Sequence, residues 1–264
     1  MNKYAYDFID IPEGLPKPRT KGLTFVRDPG MGLTSQKIFL EDAADFVDYV
    51  KFRNVTPRLY RESLIKEKIA LYQRNGIRTM SGGIFFQFAW LQKKLDRYFP
   101  YLTEIGFDAV EVGYSMLDIP KKDKLSAIAK LREMGIEVIY EWGKKFPTEH
   151  LEVKRSIEEF RELITAGANF IVIEWGEIEK LLDAGGNDAA GNTLIDLVNQ
   201  VGPEKIVLEV ETDAQIAWVL KQFGPDANIG PNVAPEKVLW LEPMRRGLGK
   251  TVKYSVFDKN INVR

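Results

Sequence analysis

The chain has 264 residues, 45% of them hydrophobic, which is enough to bury one continuous core. Its formal net charge of −1, with lysine and arginine spread along the chain, argues against nucleic acid or an anionic membrane as partners. The lack of cysteine excludes disulfides and thiolate sites, and a single histidine, His150, excludes multi-histidine zinc sites.

Eight short apolar runs alternate with amphipathic stretches of helical spacing. An aromatic- and proline-rich N-terminal extension, 1–20, precedes the first run, and the runs begin near residues 23, 47, 77, 109, 138, 170, 206 and 227. Helices are predicted between them, including a long one at 87–105, and several helices end in glycine. The pattern predicts an α/β fold, a (β/α)8 TIM barrel over 21–251 with a C-terminal tail, 252–264.

Two further features concern the whole chain. No apolar run approaches the roughly 18 residues of a membrane span, and no leader pattern begins the sequence, so a soluble, cytoplasmic protein is expected. Segment 184–192, rich in glycine, alanine and asparagine, follows the sixth run, where either a lid or an ordinary surface loop fits. The sequence leaves a homo-oligomer open.

Four consecutive predicted strands, the fourth to the seventh, end in a glutamate. They are Glu111, Glu141, Glu174 and Glu209. Barrel enzymes place their catalytic groups at the C-terminal ends of strands, and alternation would let all four side chains enter the barrel mouth. A purely structural charge network closing the barrel is the alternative, because charges within apolar strands are costly unless paired.

Other charged residues occur at comparable positions. Asp28 ends the first predicted strand, Lys51 follows the second, and Lys144 and Lys145 follow the fifth. Carboxylate oxygens without histidine or cysteine favour Mg²⁺ over zinc, and a neighbouring lysine can donate a proton or bind an anion.

Two weaker candidate sites concern anions. Gly82 and Gly83 follow the third strand, where their N–H groups fit either an anion or an ordinary turn. Arg245 and Arg246 fit either a phosphate site or the C-terminus of the last helix.

Several segments in order resemble phosphosulfolactate synthase, from about Arg19 to Thr251. They are Lys21-Gly22-Leu23-Thr24 with Asp28, Asp48-Tyr49-Val50-Lys51-Phe52, Gly82-Gly83, Gly106-Phe107-Asp108-Ala109-Val110-Glu111, Glu141-Trp142-Gly143-Lys144-Lys145, Ala166-Gly167-Ala168, Phe223-Gly224-Pro225, Asn228, Leu241-Glu242 and Arg245-Arg246-Gly247-Leu248. The resemblance implies a lyase that adds sulfite to phosphoenolpyruvate, a small anionic substrate, with Mg²⁺ as cofactor and an enolate as intermediate.

The resemblance also implies roles for particular residues. Lys145 is the first choice and Lys144 the second for the acid that protonates the substrate, Lys51 would bind phosphate or carboxylate, and Glu141 completes the catalytic set. Taken with the strand-end charges and the loops of this chain, the predicted metal set is Asp28, Glu111, Glu174 and Glu209, and the predicted substrate-binding set is Arg53, Gly82, Gly83, Asn228, Arg245 and Arg246.

The chain departs from the family pattern in the loops beside the predicted site. Arg53-Asn54-Val55 stands where the family has Gly-Trp-Gly, and Glu174-Trp175-Gly176-Glu177-Ile178 lacks the family's arginine. These changes predict a rearranged anion site. A family member with a different small anionic substrate, or a non-catalytic stress-protection homologue, therefore stays open beside the lyase.

Overall fold

The chain folds into a closed barrel of eight parallel strands in the order β1 to β8. The computed structural model describes residues 5–145, 153–183 and 188–258. The strands are β1 Thr24–Asp28, β2 Tyr49–Phe52, β3 Arg78–Ser81, β4 Ala109–Gly113, β5 Glu137–Trp142, β6 Phe170–Ile173, β7 Ile206–Leu208 and β8 Asn228–Val233. The predicted TIM barrel is confirmed.

Helices connect the strands and cover the outside of the barrel. In the described parts of the chain they are α1 Leu33–Ala43, α2 Glu62–Arg74, α3 Gly83–Leu91, α4 Leu95–Ile105, α5 Lys121–Glu133, α6 Val153–Ala166, α7 Trp175–Asp183, α8 Asp188–Val201, α9 Asp213–Phe223 and α10 Val238–Arg245. None of the helices in the described residues is long and apolar enough to cross a membrane.

The structure corrects several predicted boundaries. The helix expected at 87–105 is two helices, α3 and α4, separated at Lys93, whose φ of 56° is left-handed and cannot continue an α-helix. β2 begins two residues later than predicted, and β8 extends to Val233. Helix α7 begins directly after the sixth strand, so segment 184–192 follows a helix; residues 184–187 of it lie outside the described residues.

The barrel interior is filled by apolar side chains from seven of the eight strands. Phe25 stacks on Tyr49 with ring centroids 4.4 Å apart, and both rings meet Phe170 edge-on. The buried interior residues are Phe25, Tyr49, Met80, Ala109, Ile139, Val172 and Val207, together with Leu23. Because side chains alternate along a strand, these residues fix which neighbours face inward.

The N-terminal ends of the strands are closed by a polar network that includes part of the N-terminal extension. Arg19 binds Asp48 through two hydrogen bonds of 3.0 and 2.7 Å, and Asp48 accepts the N–H of Thr24 at 2.8 Å. Arg19 also lies 3.8 Å from Glu242 of α10. Residues near the start of the chain therefore brace the barrel at the end opposite the glutamates.

Candidate active site

One ring of residues lies a layer above the apolar interior, at the C-terminal ends of the strands. Those of the first seven strands each come two positions after an inward-facing residue, so alternation aims them into the barrel mouth, and Asn232 of β8 reaches the same layer through its contact with Glu209. We call this ring the mouth layer; its members are Arg27, Lys51, Gly82, Glu111, Glu141, Glu174, Glu209 and Asn232. All four predicted glutamates and Lys51 belong to it.

A buried ion pair joins β2 to β4 within the mouth layer. The Lys51 Nζ lies 2.7 Å from Glu111 Oε1, with side chains only 7% and 2% exposed. Burial acts to lower the pKa of Lys51, but attraction by Glu111, Glu209 and Glu141 outweighs it and raises the pKa, so Lys51 stays charged. The second oxygen of Glu111 accepts the Gly83 N–H at 2.7 Å.

Three carboxylates on β5 to β7 form the second feature of the site. One oxygen each from Glu141, Glu174 and Glu209 lies within 4.8 Å of the others, and all three residues are buried. Burial raises the pKa of Glu141 to about 7 and that of Glu209 to about 8, and the neighbouring carboxylates add to both shifts. Without a further positive charge, the cluster therefore resists the simultaneous ionisation of its carboxyl groups near neutral pH.

Asn232 orients one member of this cluster. Its Nδ2 donates to Glu209 Oε1, while Glu209 Oε2 is buried without a hydrogen-bond partner. Buried polar atoms are nearly always partnered in native proteins, so an unpartnered carboxylate oxygen beside two further carboxylates is typical of a cation site.

Lys145 contacts the cluster from above. Its Nζ lies 3.0 Å from Glu174 Oε1 and 3.8 Å from Glu141 Oε1, and its side chain is 36% exposed. Burial acts to lower the pKa of Lys145, but Glu141 and Glu174 attract the ammonium and raise the pKa above its usual value. Lys145 therefore carries its proton at neutral pH while keeping a route to solvent.

Two glycines hold the Lys145 segment against the start of α7. Gly143 has a φ of 112°, a conformation that side chains rarely adopt. A Cβ on Gly176 would lie 2.4 Å from the Lys145 carbonyl oxygen, so a larger residue would push the two segments apart. The N–H of Gly176 also donates to Glu174 Oε2 at 2.6 Å.

Lys144 lies outside the cluster. Its ammonium binds the exposed carboxylate of Asp118, and its side chain is 40% exposed. Two other predicted residues also lie apart from the carboxylate cluster. Arg53 is half-buried just beyond β2. Gly82 lies against β2, where an added Cβ would be 3.6 Å from Lys51 Cε. The Gly83 N–H donates to the Glu111 carboxylate and not to a substrate anion, which corrects its predicted role in substrate binding.

Asp28 faces away from the mouth, which corrects its assignment to the metal set. Phe25 points inward, so Asp28, three residues later, points outward to α2. There its Oδ2 lies 2.8 Å from Lys68 Nζ and accepts the Tyr72 hydroxyl at 2.9 Å. Its Oδ1 accepts the N–H of Gly30 at 2.7 Å, so Asp28 organises the loop after β1.

Replacing Asp28 by asparagine is expected to destabilise the protein without affecting metal binding. The change leaves the Lys68 ammonium, 1% exposed, without its counter-charge, which costs about 3–5 kcal/mol. Denaturant unfolding measures the loss, and the double variant Asp28→Asn/Lys68→Met should recover part of it. A stable Asp28→Asn protein with weakened Mg²⁺ binding would return Asp28 to the metal set.

Asn228, Arg245 and Arg246 lie at the opposite end of the barrel, which corrects their assignment to substrate binding. The Asn228 side chain accepts the Leu23 N–H at 3.0 Å, below β1. Arg245 is buried and donates to the carbonyl oxygen of Ala227 at 2.6 Å and to that of Leu23 at 3.1 Å. Arg246 binds Glu242. These residues close the floor because strands β1 and β8 begin there.

The sequence interpretation missed two members of the mouth layer, Arg27 and Asn232. Counting two residues on from the inward-facing Phe25 reaches Arg27, so alternation within β1 was the available signal. Nothing local marks Asn232, because β8 extends beyond the predicted run. Gln87 was also missed; its Oε1 accepts the N–H groups of Met116 and Leu117 and fixes the loop after β4. His150 lies outside the described residues.

The raised pKa values predict how stability depends on pH in metal-free protein. Glu141 and Glu209 keep their protons in the folded state up to about pH 7 and 8, whereas glutamates in the unfolded chain have their ordinary pKa of 4.5 and lose them there. The folded state thus binds more protons across this window, so the free energy of unfolding falls as pH rises through it.

Glu209→Gln should flatten this dependence, because it removes one of the two titrating groups. Unfolding by denaturant in the presence of a chelator, at about pH 5.5, 7 and 8.5, measures the slope. A variant whose slope equals that of the wild type would show that Glu209 ionises normally.

Sequence comparison identifies relatives over nearly the whole chain. A family model described as "(2R)-phospho-3-sulfolactate synthase (ComA)" matches residues 12–251. Phosphosulfolactate synthase of Methanothermobacter thermautotrophicus is 32% identical over 250 residues, covering 92% of this chain and 95% of the relative. That of Methanocaldococcus jannaschii is 32% identical over 234 residues, covering 86% and 92%. The protein HEAT-STRESS-ASSOCIATED 32 of Arabidopsis thaliana is 23% identical over 274 residues, covering 91% of each.

Solved structures support the fold alone. 3-Hexulose-6-phosphate synthase from Salmonella typhimurium aligns with a TM-score of 0.52 at 15% identity, covering 84% of this chain and 99% of that one. The family match and the two archaeal relatives span the same barrel that carries the mouth layer. The chain belongs to the phosphosulfolactate synthase family.

Proposed function

We propose that this protein is a lyase that joins sulfite to phosphoenolpyruvate in a Mg²⁺-dependent reaction, with Lys145 as the proton donor. The observation that carries the proposal is the position of Lys145, whose ammonium is protonated, half-buried and 3.0 Å from Glu174 in the barrel mouth. Lys144, the other candidate, binds Asp118 at the rim. The family membership supports the same reaction.

The reaction forms one carbon–sulfur bond, opens the π bond of the enol phosphate and consumes one proton. The sulfur lone pair of sulfite forms a bond to the methylene carbon of the enol phosphate, and the π electrons move toward the adjacent carbon and its carboxylate. The Lys145 ammonium then gives its proton to that adjacent carbon, and no group leaves. Because Lys145 is 36% exposed, water can return the proton to its amine.

Glu141, Glu174 and Glu209 are the residues that would hold Mg²⁺. Their fit rests on clustered, buried carboxylate oxygens, an unpartnered Glu209 Oε2 and two raised pKa values, all of which a divalent cation would relieve. Bound there, Mg²⁺ would act as a Lewis acid for the negative charge that develops on the substrate carboxylate.

The neighbouring residues set the charge and geometry of the mouth. Glu111 neutralises Lys51 and fixes its position, because Glu111 also accepts the Gly83 N–H. Neutralising Glu141 and Glu174 lowers the proton affinity of Lys145, because their charges are what raise its pKa. A cation held by Glu141, Glu174 and Glu209 would therefore make Lys145 a stronger acid.

A second candidate is the same chemistry with another nucleophile or enol phosphate. The observation that favours it is the half-buried Arg53, which stands beyond β2 in a loop that departs from the family pattern. A non-catalytic stress-protection role would leave the protonated Lys145 and the carboxylate cluster without a use.

An activity assay separates these candidates. Purified protein with Mg²⁺ and phosphoenolpyruvate is incubated with sulfite, with a thiol, or with buffer alone, and products are followed by ³¹P NMR. Sulfite-dependent formation of a new phosphate ester supports the proposal. Turnover with the thiol alone would favour the second candidate, and no turnover without any binding of phosphoenolpyruvate would exclude both.

A further inference from the structure

Most cations around the mouth already have a carboxylate partner. Lys51 is paired with Glu111 at 2.7 Å and Lys145 with Glu174 at 3.0 Å. The proposed substrates, phosphoenolpyruvate and sulfite, are small anions, so their binding requires a positive charge that the protein itself has not neutralised. The paired lysines meet that need poorly, because the substrate would have to compete with a buried carboxylate.

Arg27 is the mouth-layer cation without such a partner. It stands directly beside Lys51 in the β1–β2 register, two residues beyond the inward-facing Phe25. Its Nε is buried and makes no hydrogen bond, and within the described part of the chain no carboxylate lies at ion-pair distance from its guanidinium. Arg27 as a whole is half-buried, but leaving a buried N–H donor without an acceptor costs stability, and such a donor in a barrel mouth fits a site that a ligand completes.

We propose that Arg27 binds the phosphate group of the substrate, an inference that rests on the proposed function. The guanidinium offers parallel N–H donors matched to two oxygens of a tetrahedral dianion, which an ammonium cannot do. Arg27 and Lys51 lie on β1 and β2, whereas the cluster of Glu141, Glu174 and Glu209 lies at the ends of β5 to β7, across the barrel. The phosphate is therefore held on one side of the mouth, and the reacting end points to Lys145 and the carboxylate cluster.

A stability measurement separates a binding role from a structural one. Because Arg27 has no partner to lose, Arg27→Met should raise the Tm of the ligand-free protein by about 2–4 °C. The matched control is Arg74→Met, which removes an exposed arginine from the last turn of α2 and should leave the Tm unchanged. A clear fall in the Tm of Arg27→Met would assign Arg27 to the fold and overturn the proposal.

Kinetics and binding give the second readout. Arg27→Met should raise the KM for phosphoenolpyruvate about 10- to 100-fold, leave the KM for sulfite unchanged and abolish inhibition by inorganic phosphate. Arg27→Lys should recover only part of the affinity. An unchanged KM for phosphoenolpyruvate in an active enzyme overturns the proposal, as does a rise confined to the KM for sulfite.

Calorimetry with inorganic phosphate keeps this proposal distinct from the proposed function. If the wild type turns over no substrate but binds phosphate, and Arg27→Met does not, the anion site stands and the proposed reaction fails. If the wild type is active and both proteins bind phosphate equally, the reaction stands and the role of Arg27 fails.

Discussion

Lys145→Ala is expected to lower kcat for sulfite addition by about 10²–10⁴-fold while leaving the fold intact. The variant removes the proposed proton donor, and it removes it from a half-exposed position whose loss opens no core cavity. Initial rates with phosphoenolpyruvate, sulfite and Mg²⁺ measure kcat, and circular dichroism checks the fold.

The control for this prediction is the adjacent lysine. Lys144→Ala removes the same charge one residue earlier, but its ammonium contacts exposed Asp118 and not the carboxylate cluster, so less than a tenfold loss is expected. Lys145→Arg adds a second check, because arginine keeps the charge but cannot give up a proton near neutral pH. Full activity in Lys145→Arg would make Lys145 an electrostatic group and not an acid.

Glu209→Gln is expected to weaken Mg²⁺ binding by at least about 100-fold. Loss of residues that merely orient metal ligands costs about 10–100-fold, so loss of a ligand should cost no less. Glu209 is the sharpest choice in the cluster, since its Oε2 is unpartnered and its other oxygen is bound only by Asn232 in the described structure. Calorimetric titration of chelator-treated protein with Mg²⁺ measures the affinity.

A control variant and a measurement of proton release accompany that titration. Glu133→Gln removes an exposed carboxylate at the end of α5 and should bind Mg²⁺ like the wild type. In the wild type, binding should release protons near neutral pH, because Glu141 and Glu209 hold protons there until the metal displaces them. Equal affinities in Glu209→Gln and the wild type would place Mg²⁺ elsewhere or nowhere in this site.

The repeated glutamates show what a sequence can predict about such a site. Apolar runs and helical spacing were sufficient for the barrel, and the same position at the end of successive strands was sufficient to bring Glu111, Glu141, Glu174 and Glu209 into one layer. The period of two along a strand carries this information, provided that the inward-facing residue is known.

Asp28 shows where the same reasoning fails. It ends β1 as the glutamates end theirs, but one position out of phase with them, and a phase error of one residue moves a side chain to the other face. Only the three-dimensional position of Phe25 fixes that phase. Arg27, the residue in phase, was overlooked for the same reason.

The distinction between Lys144 and Lys145 depended on backbone geometry that no local pattern reveals. The left-handed turn at Gly143 and the close approach of Gly176 direct one lysine to Glu174 and leave the other at the rim. The assignment of Arg245 to substrate binding was wrong for another reason. A charged residue near the end of a helix gives the same sequence pattern at either end of a barrel. The sequence thus indicated that charged residues gather at the strand ends more reliably than it indicated which of them share the site.

The central claim is that Lys145 delivers a proton to the carbon beside the one that sulfite attacks. The reaction is run with phosphoenolpyruvate, sulfite and Mg²⁺ in D₂O, and the product is examined by ¹H NMR for deuterium and by chiral chromatography for configuration. We expect a single deuterium at the carbon that bears the phosphate, in one configuration, and no such product with Lys145→Ala. Deuterium in both configurations, or the same labelled product from Lys145→Ala, would contradict it.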